Sequence, residues 1–258
     1  MELQRWTEQA VEAAQRAGRI IRAAWLNGDT EVRYKGRFNP VTKVDLESQR
    51  LIREVLLTYN PTHDFLGEEG TPHESGSEFQ WIVDPLDGTK NFAHGYPHFG
   101  VSIGLQYQER IVIGVVHDPV RGETFTACRG GGAFLAGRPI QVSSTDTLER
   151  ALLVTGFGTA TGRDYAIFQS FDEVSEGVRR DGSAALNLCY LACGRLDGYF
   201  QRNLWPWDVA AGVLLVEEAG GMVTDYGGGR FQLDGRQLLA SNVHLHGDMV
   251  RRMASGNS

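Results

Sequence analysis

Two aspartates three residues apart follow an apolar segment of the chain. Residues 81–83 (WIV) lead directly into residues 84–89 (DPLDGT). The apolar run predicts a short buried strand, and the turn residues after it predict that the Asp84 and Asp87 carboxylates converge where the strand ends. Two adjacent carboxylates repel each other unless a proton or a cation lies between them, and hard oxygen ligands select Mg²⁺ or Mn²⁺ over zinc. The pattern therefore indicates a divalent-cation site.

Two further acidic segments lie elsewhere in the chain. Glu68 and Glu69 follow the apolar pair 65–66, and Asp208 lies in the first turn of an apolar helical segment at 207–219. Each feature has an ordinary explanation when it is taken alone: an exposed glutamate pair, a helix N-cap, or a solvated Asp-Gly turn at 84–88. Together they could bring carboxylates from distant parts of the chain to one shared metal.

Several sequence blocks occur together in an order typical of one protein family. They are GEE at 67–69, WIVDPLDGTKNF at 81–92, WDVAAG at 207–212, EEAGG at 217–221, NPVTKVD at 39–45 and GSAAL at 182–186. This combination, which extends over about residues 5–250, closely resembles the inositol monophosphatase family. The resemblance implies an Mg²⁺-dependent, lithium-sensitive phosphomonoesterase with a layered αβαβα fold of the sugar-phosphatase type.

The resemblance also implies roles for individual residues. A first metal would be held by Glu68, Asp84 and the carbonyl oxygen of Leu86, a second by Asp84, Asp87 and Asp208, and a weaker third ion would lie near Glu68. Two or three Mg²⁺ ions are thus expected, with Mn²⁺ as a possible substitute.

The same comparison assigns the catalytic and substrate contacts. Thr89 and Asp45 would position and help deprotonate the attacking water, with Glu68 assisting through the metals that it holds. The remaining substrate contacts are the backbone N–H groups of Gly88 and Thr89 on the phosphate, the carboxylates Asp87 and Asp208, and Gly182, Ser183, Ala184 and Gln201 toward the alcohol part.

One substrate-contact position departs from the family pattern. Gln201 stands seven residues before Asp208, where many inositol-specific members have a glutamate. An amide can still hydrogen-bond a polyol. Inositol 1-phosphate is the leading substrate, and fructose 1,6-bisphosphate, histidinol phosphate and 3′(2′),5′-bisphosphate nucleotides are alternatives. A regulatory binding protein that retains the fold is the non-enzymatic alternative.

The elements that must position these residues differ between the two parts of the chain. Apolar residues at three-four spacing predict a helix over 3–25, and a second helix over 45–59 is expected to be capped by Asp45. A strand meander follows over 98–143, and strands then alternate with helices. The pattern predicts an α+β part at 1–145 that carries most metal ligands, packed on an α/β part at 146–258 that supplies Asp208.

Composition excludes several other classes of protein. The chain has 258 residues, 41% of them hydrophobic, and a net charge of −7, which disfavours bulk nucleic acid or an anionic membrane as a partner. There is no apolar run of the roughly 18 residues that a membrane span needs. Three cysteines give no disulfide framework, so we expect a cytoplasmic protein. The resemblance adds a homodimer with a small phosphorylated polyol or sugar as substrate.

Two remaining features of the sequence have more than one interpretation. Lys35 and Arg37 lie in a predicted loop that could fold over a metal-bound phosphate or could form a solvated face. Trp205 and Trp207 are expected to pack against the core rather than to stack on a substrate.

Overall fold

A computed structural model describes residues 2–36, 39–157 and 161–255 of the chain. The first part contains α1 (Glu2–Asn27), β1 (Val32–Gly36), β2 (Asn39–Thr42), α2 (Lys43–Tyr59), β3 (Asp64–Gly67), β4 (Phe79–Asp87), α3 (Thr89–Ala93), β5 (Gly100–Tyr107), β6 (Arg110–Asp118), β7 (Glu123–Cys128), β8 (Gly132–Leu135) and β9 (Arg138–Pro139). The second part contains β10 (Leu152–Gly156), α4 (Gly162–Asp172), β11 (Gly177–Arg179), α5 (Ala184–Ala192), β12 (Gly198–Arg202), α6 (Pro206–Glu218), β13 (Met222–Thr224), β14 (Gln237–Ser241) and α7 (His246–Ser255).

The helices α1 and α2 cover one face of a seven-stranded sheet of order β3-β4-β5-β6-β7-β8-β9. The buried face of α1 is made largely of alanine, at positions 10, 13, 14 and 17. Such small side chains let the helix lie close to the sheet, where Trp81 and Phe99 fill the space between them. The three-four spacing predicted this buried face, and the helix over 3–25 is confirmed.

The start of α2 corrects the predicted role of Asp45. The N-cap is Thr42, whose hydroxyl accepts hydrogen bonds from the N–H groups of Val44 and Asp45. Asp45 is the third helical residue, and its carboxylate accepts a hydrogen bond from the Thr42 N–H at 2.9 Å. The prediction that Asp45 itself caps the helix is wrong, because the two residues form a reciprocal capping box.

The helices α5 and α6 form the middle layer and pack on the other face of this sheet. The backbone of α6 lies directly against the strands of the sheet. A Cβ added to Gly114 on β6 would lie only 2.5 Å from the carbonyl oxygen of Ala211. A Cβ added to Gly104 on β5 would lie 3.0 Å from the Cβ of Ala210. These two glycines therefore let α6 seat directly on the strands.

A second sheet of five strands, of order β11-β10-β12-β14-β13, lies beyond α5 and α6. Its outer face packs on α4 and α7, where Phe171, Phe200 and Met249 are buried in one cluster. The layers thus follow one another as helices, sheet, helices, sheet and helices, which confirms the αβαβα sandwich. The short strand β11 was not predicted from the sequence.

The largest core cluster joins both parts of the chain, with Ile82 and Phe125 from the first part and Leu188 and Leu214 from the second. The division into 1–145 and 146–258 stays a prediction. Among the described residues, no helix is both long and apolar enough to cross a membrane. Arg37 and the side chain of Lys35 lie outside what the structure describes, so the predicted closure of their loop stays a prediction as well.

Candidate metal centre

The carboxylates of Asp84, Asp87 and Asp208 form a cluster between the two layers of strands. One oxygen from each of the three lies within 4.8 Å of the others. Asp84 and Asp87 come from the end of β4, and Asp208 comes from the first turn of α6. The structure therefore brings together the three aspartates that the sequence predicted as shared ligands.

A bulge in β4 places Asp84 and Asp87 on the same side. Residues three apart in a regular strand point to opposite faces of the sheet. In this strand Asp84 pairs with Ser102 and Asp87 pairs with Gly100, so β4 has one residue more than β5 over this stretch. The extra residue reverses the alternation, and both carboxylates reach the cluster.

Each aspartate of the cluster is fixed by hydrogen bonds from its surroundings. Asp87 Oδ2 accepts from the Ser183 hydroxyl at 2.5 Å and from the Ala185 N–H at 2.8 Å, at the start of α5. Asp208 Oδ2 accepts from the Trp205 N–H at 2.7 Å, and Asp84 Oδ1 accepts from the Leu86 N–H at 2.9 Å. The cluster is thus held in place without using all of its carboxylate oxygens.

The electrostatics of the cluster favour a bound cation. Burial, followed by the charges of Glu68, Asp87 and Asp208, raises the pKa of Asp84 well above its ordinary value. Burial and the charge of Asp87 do the same for the pKa of Asp208, and burial raises the pKa of Asp87 to about 6. A divalent cation would relieve this repulsion, and an all-oxygen donor set suits Mg²⁺ or Mn²⁺. The residues present therefore fit the divalent cation that the resemblance implies.

Glu68 lies beside the three aspartates. Its backbone N–H donates to the Val83 carbonyl at 3.1 Å, which places it next to Asp84 where β3 ends alongside β4. Its charge acts on Asp84 and Asp208, whereas the charge of the neighbouring Glu69 acts on Asp45. The placement agrees with Glu68, rather than Glu69, as the predicted metal ligand, and this role stays a prediction.

Thr89 and Asp45 form a hydrogen-bonded pair at the edge of the cluster. The Thr89 hydroxyl lies 3.1 Å from Asp45 Oδ1 and 3.0 Å from the Leu86 carbonyl oxygen, so its single proton can go to either acceptor. Burial raises the pKa of Asp45, and hydrogen bonds from Thr42 and Thr89 oppose that rise. The pair that was expected to activate water is therefore assembled, with Asp45 fixed by the capping box of α2.

The predicted substrate contacts occupy two different environments. Gly88 adopts a left-handed conformation with φ of 93° at the start of α3, and Gly182 does so with φ of 86° before α5. Ser183 and Ala184 are buried, and the Ser183 hydroxyl donates to Asp87; their predicted contacts with the alcohol part stay predictions. Gln201 is half-buried at the end of β12.

Two residues that sequence reasoning did not assign to the site organise it. The Tyr199 hydroxyl donates to Gln201 Oε1 at 2.7 Å, which leaves the Gln201 NH₂ group available as a donor. Asn91 Nδ2 donates to the carbonyls of His98 at 2.6 Å and Asp181 at 2.7 Å, tying the Gly182 loop to the Gly88 turn. The contact between Tyr199 and Gln201 could have been predicted from the sequence, because residues two apart in a strand point to the same face.

The two tryptophans before Asp208 differ in exposure. Trp207 is partly buried and packs against the main core cluster, as expected. Trp205 is 47% exposed, and its ring stacks on Trp207 with centroids 5.4 Å apart and planes 10° from parallel. The predicted packing against the core is therefore confirmed for Trp207. Trp205 is exposed and packs on Trp207 instead.

Comparison with known proteins identifies the family. A profile of the Inositol monophosphatase family matches residues 2–255. The chain is 43% identical over 257 residues to the chloroplastic phosphatase IMPL1 of Arabidopsis thaliana, covering 95% of this chain and 69% of that protein. It is 42% identical over 260 residues to inositol-1-monophosphatase of Synechocystis sp., covering 98% and 90% respectively. The solved structure of the extragenic suppressor protein suhB from Bartonella henselae superposes with a TM-score of 0.94 at 38% identity, covering 96% of this chain and 98% of that one. The chain therefore belongs to the inositol monophosphatase family and is a phosphoric monoester hydrolase.

Proposed function

We propose that this phosphomonoesterase hydrolyses phosphate esters of small polyols or sugars, with inositol 1-phosphate as its leading substrate. The observation that carries the proposal is the set of three carboxylates within 4.8 Å of one another, two of them buried and that of Asp208 half-buried, beside the Thr89–Asp45 pair. Because a buried acidic cluster repels a free phosphate ester, this arrangement suits catalysis only with cations present.

Two or three Mg²⁺ ions are the proposed cofactor, with Mn²⁺ able to replace them. Glu68, Asp84, Asp87, Asp208 and the Leu86 carbonyl oxygen would hold them. When bound, such ions supply Lewis acidity toward the phosphate and lower the pKa of the attacking water. The hydrogen bonds from Ser183, Ala185 and Trp205 keep the aspartates in position, as second-layer partners of metal ligands commonly do.

The proposed proton acceptor is the Thr89–Asp45 pair. When the Thr89 hydroxyl donates its proton to Asp45 Oδ1, the lone pairs of Thr89 Oγ1 are free to accept a hydrogen bond from the attacking water. The raised pKa of Asp45 makes this carboxylate a better proton acceptor than an exposed aspartate. The left-handed Gly88 exposes the backbone N–H groups of the following turn, which we propose as donors to the phosphate.

The alcohol part of the substrate is proposed to lie between Gln201 and the segment 182–184. Because Tyr199 occupies the Gln201 carbonyl, Gln201 presents N–H donors, where a glutamate would present acceptors. Because of this difference, three other substrates stay alternatives to inositol 1-phosphate: fructose 1,6-bisphosphate, histidinol phosphate and 3′(2′),5′-bisphosphate nucleotides.

The test is the release of inorganic phosphate from these four esters, measured side by side with Mg²⁺, with Mn²⁺ and with a chelator. We expect turnover that disappears with the chelator and returns when the ion is added. Turnover that persists in the chelator would contradict the metal assignment. If no ester releases phosphate, the protein's work is binding rather than hydrolysis.

Three finer properties remain proposals that follow from the family. Inhibition by lithium can be measured in the same phosphate-release assay. A homodimer can be checked by light scattering on the purified chain, and the expected cytoplasmic location by fractionation of the source cells.

A further inference from the structure

A glutamine on α2 pairs with the backbone of the segment that carries Glu68. Gln49 Oε1 accepts a hydrogen bond from the Glu69 N–H at 2.8 Å, and Gln49 Nε2 donates to the Glu69 carbonyl oxygen. One side-chain amide thus satisfies both polar backbone groups of a single residue, as a paired residue on an antiparallel strand would. We call these two hydrogen bonds the Gln49 clamp.

The Gln49 clamp lies at an edge of the seven-stranded sheet. Among the described strands, β3 is the first in the order of this sheet and pairs with β4 alone. Directly after β3, the Glu68 N–H donates to the Val83 carbonyl of β4 at 3.1 Å, whereas the backbone groups of Glu69 go to Gln49. A sheet edge leaves backbone groups without a strand to pair with, and Gln49 supplies these hydrogen bonds from the helix side.

The glycine at position 67 makes room for the Gln49 clamp. A Cβ added there would lie 2.5 Å from the amide carbon of Gln49 and closer still to its Oε1. The φ of Gly67 is outside the left-handed region, so the backbone conformation does not require a glycine at this position. The close approach of the Gln49 amide is therefore the reason that the structure gives for this glycine.

The same face of α2 carries Asp45. Residues four apart on a helix lie on one face, so Asp45 and Gln49 are neighbours on α2. Asp45 Oδ1 lies 3.1 Å from the Thr89 hydroxyl, and the charge of Glu69 adds to the effect of burial in raising the pKa of Asp45. One helix face therefore holds both the proposed proton acceptor and the segment that contains Glu68.

We propose that Gln49 is a positioning residue that orients Glu68 toward the ions through the backbone of Glu69. The inference rests on the proposed function, in which Glu68 is a metal ligand, and deepens it by naming what holds that ligand in place. Val83 fixes the peptide before Glu68 from the β4 side, and Gln49 fixes the peptide after it from the α2 side. Because both peptides are held before an ion arrives, less freedom is lost when the ion binds.

Direct binding of Mn²⁺ without substrate tests the proposal. The readout is the EPR signal of free Mn²⁺, which decreases as the protein binds the ion. Gln49→Ala removes the clamp at a half-buried helical position, where alanine favours the helix. We expect the affinity for Mn²⁺ to fall about tenfold, the lower end of the range for a residue that orients a metal ligand.

The phosphate-release assay gives a second readout for the same variant. The Mg²⁺ concentration that gives half of the maximal rate should rise by a similar factor. The kcat at saturating Mg²⁺ should fall much less, by about threefold at most, because excess ion restores the occupied site.

Gly67→Ala breaks the Gln49 clamp in an independent way, because the added Cβ would displace the Gln49 amide. This variant should also lose about tenfold in affinity for Mn²⁺. In the Gln49→Ala background the same change should cost little more, since the amide that it displaces is already absent. Losses that simply multiply in the double variant would contradict the clamp.

The matched control is Gln15→Ala on α1, which removes another glutamine amide that donates to a distant residue, Thr124, at 3.4 Å. It should leave the affinity for Mn²⁺ unchanged. A Gln49→Ala variant that binds Mn²⁺ as tightly as the wild-type protein would overturn the inference.

The titration also separates this inference from the proposed function. If the wild-type protein binds Mn²⁺ but releases no phosphate from any ester, the proposed function fails, and the comparison of Mn²⁺ affinities still decides the role of Gln49. If the wild-type protein binds no Mn²⁺, the inference fails together with the metal assignment.

Discussion

Asp87 and Asp197 are two buried aspartates with similar hydrogen-bond donors and different surroundings. Asp87 accepts from the Ser183 hydroxyl and the Ala185 N–H, and Asp197 accepts from the Ser143 hydroxyl at 2.6 Å and the Leu152 N–H at 2.7 Å. Asp87 faces Asp84 and Asp208, whereas Asp197 joins the connection after β9 to the start of β10. The hydrogen bonds alone therefore do not mark a catalytic carboxylate; the neighbouring carboxylates do.

The comparison also explains what a cation adds. Two donors can satisfy one buried carboxylate, as they do for Asp197. Three carboxylates within 4.8 Å retain their mutual repulsion even when each has its own donor. A cation would therefore relieve a repulsion in the Asp87 region that the Asp197 region does not have.

The largest effect is expected from removing one charge in each region. Asp87→Asn should lower kcat about 1000-fold or more, because it removes a proposed metal ligand from the candidate site. Asp197→Asn should leave kcat within about threefold and lower the free energy of unfolding by about 1–3 kcal/mol. Phosphate release and urea unfolding measure the two effects. Comparable activity in the two variants would remove the distinction between the regions.

Asp45 is a third carboxylate to compare. It is hydrogen-bonded within the fold like Asp197, but it lies at the edge of the aspartate cluster. Thr89→Ala should lower kcat about 100-fold, since it breaks the path from water to Asp45. Thr89→Ser keeps the hydroxyl and should retain most of the activity. The measurement is kcat at saturating Mg²⁺; equal losses in the two variants would show that the methyl group, not the hydroxyl, matters.

The pH dependence of stability should separate the regions in the absence of metal. Burial raises the pKa of Asp87 from 3.8 to about 6, so the folded state binds a proton more tightly than the unfolded state. This contribution to stability is complete below about pH 4 and is lost as the pH rises through about 6, to the extent of about 3 kcal/mol.

Unfolding of the metal-free protein in urea across this pH range measures that loss. Added Mg²⁺ should reverse the trend, because the cation binds the deprotonated carboxylates. Asp87→Asn should reduce the slope of the metal-free profile, while the raised pKa values of Asp84 and Asp208 keep part of it. A wild-type profile that is already flat without metal would contradict the raised pKa.

The smallest effect is expected from removing the serine hydroxyls that donate to Asp87 and Asp197. Ser183→Ala should weaken the apparent affinity for Mg²⁺ about tenfold, because Asp87 loses a donor that orients it. Ser143→Ala removes the equivalent donor from Asp197 and should cost about 1 kcal/mol of stability without changing the Mg²⁺ dependence. Titration of activity against Mg²⁺ concentration distinguishes the pair, and an equal shift in both variants would show that these donors act only on stability.

Much of this site could be predicted from the sequence, because its acids lie where apolar segments end. The DPLDGT block and the tryptophan-aspartate pair at 207–208 specified residues whose convergence the structure shows. The bulge that aligns Asp84 with Asp87 could not be predicted, since it depends on the register of β4 against β5. Pairing register arises from contacts between distant segments, and a local pattern does not contain it.

Other features depended on equally distant contacts. The short β11 was missed because only its parallel pairing with β10 makes it a strand. The hydrogen bond from Ser183 to Asp87 could not be predicted either, because it forms where the start of α5 meets the end of β4. The capping of α2 is by contrast local: the Thr42 hydroxyl, three residues before Asp45, takes the N–H groups at the helix start.

The direct seating of α6 on β5 and β6 extends the reach of mutation at the metal centre. Any side chain at position 114 would push against the backbone of Ala211, and one at position 104 would meet Ala210, two residues from Asp208. Either change would lift the helix that carries the aspartate. A genetic screen for lost phosphatase activity would thus recover both glycines, although neither has an atom that could touch a bound ion.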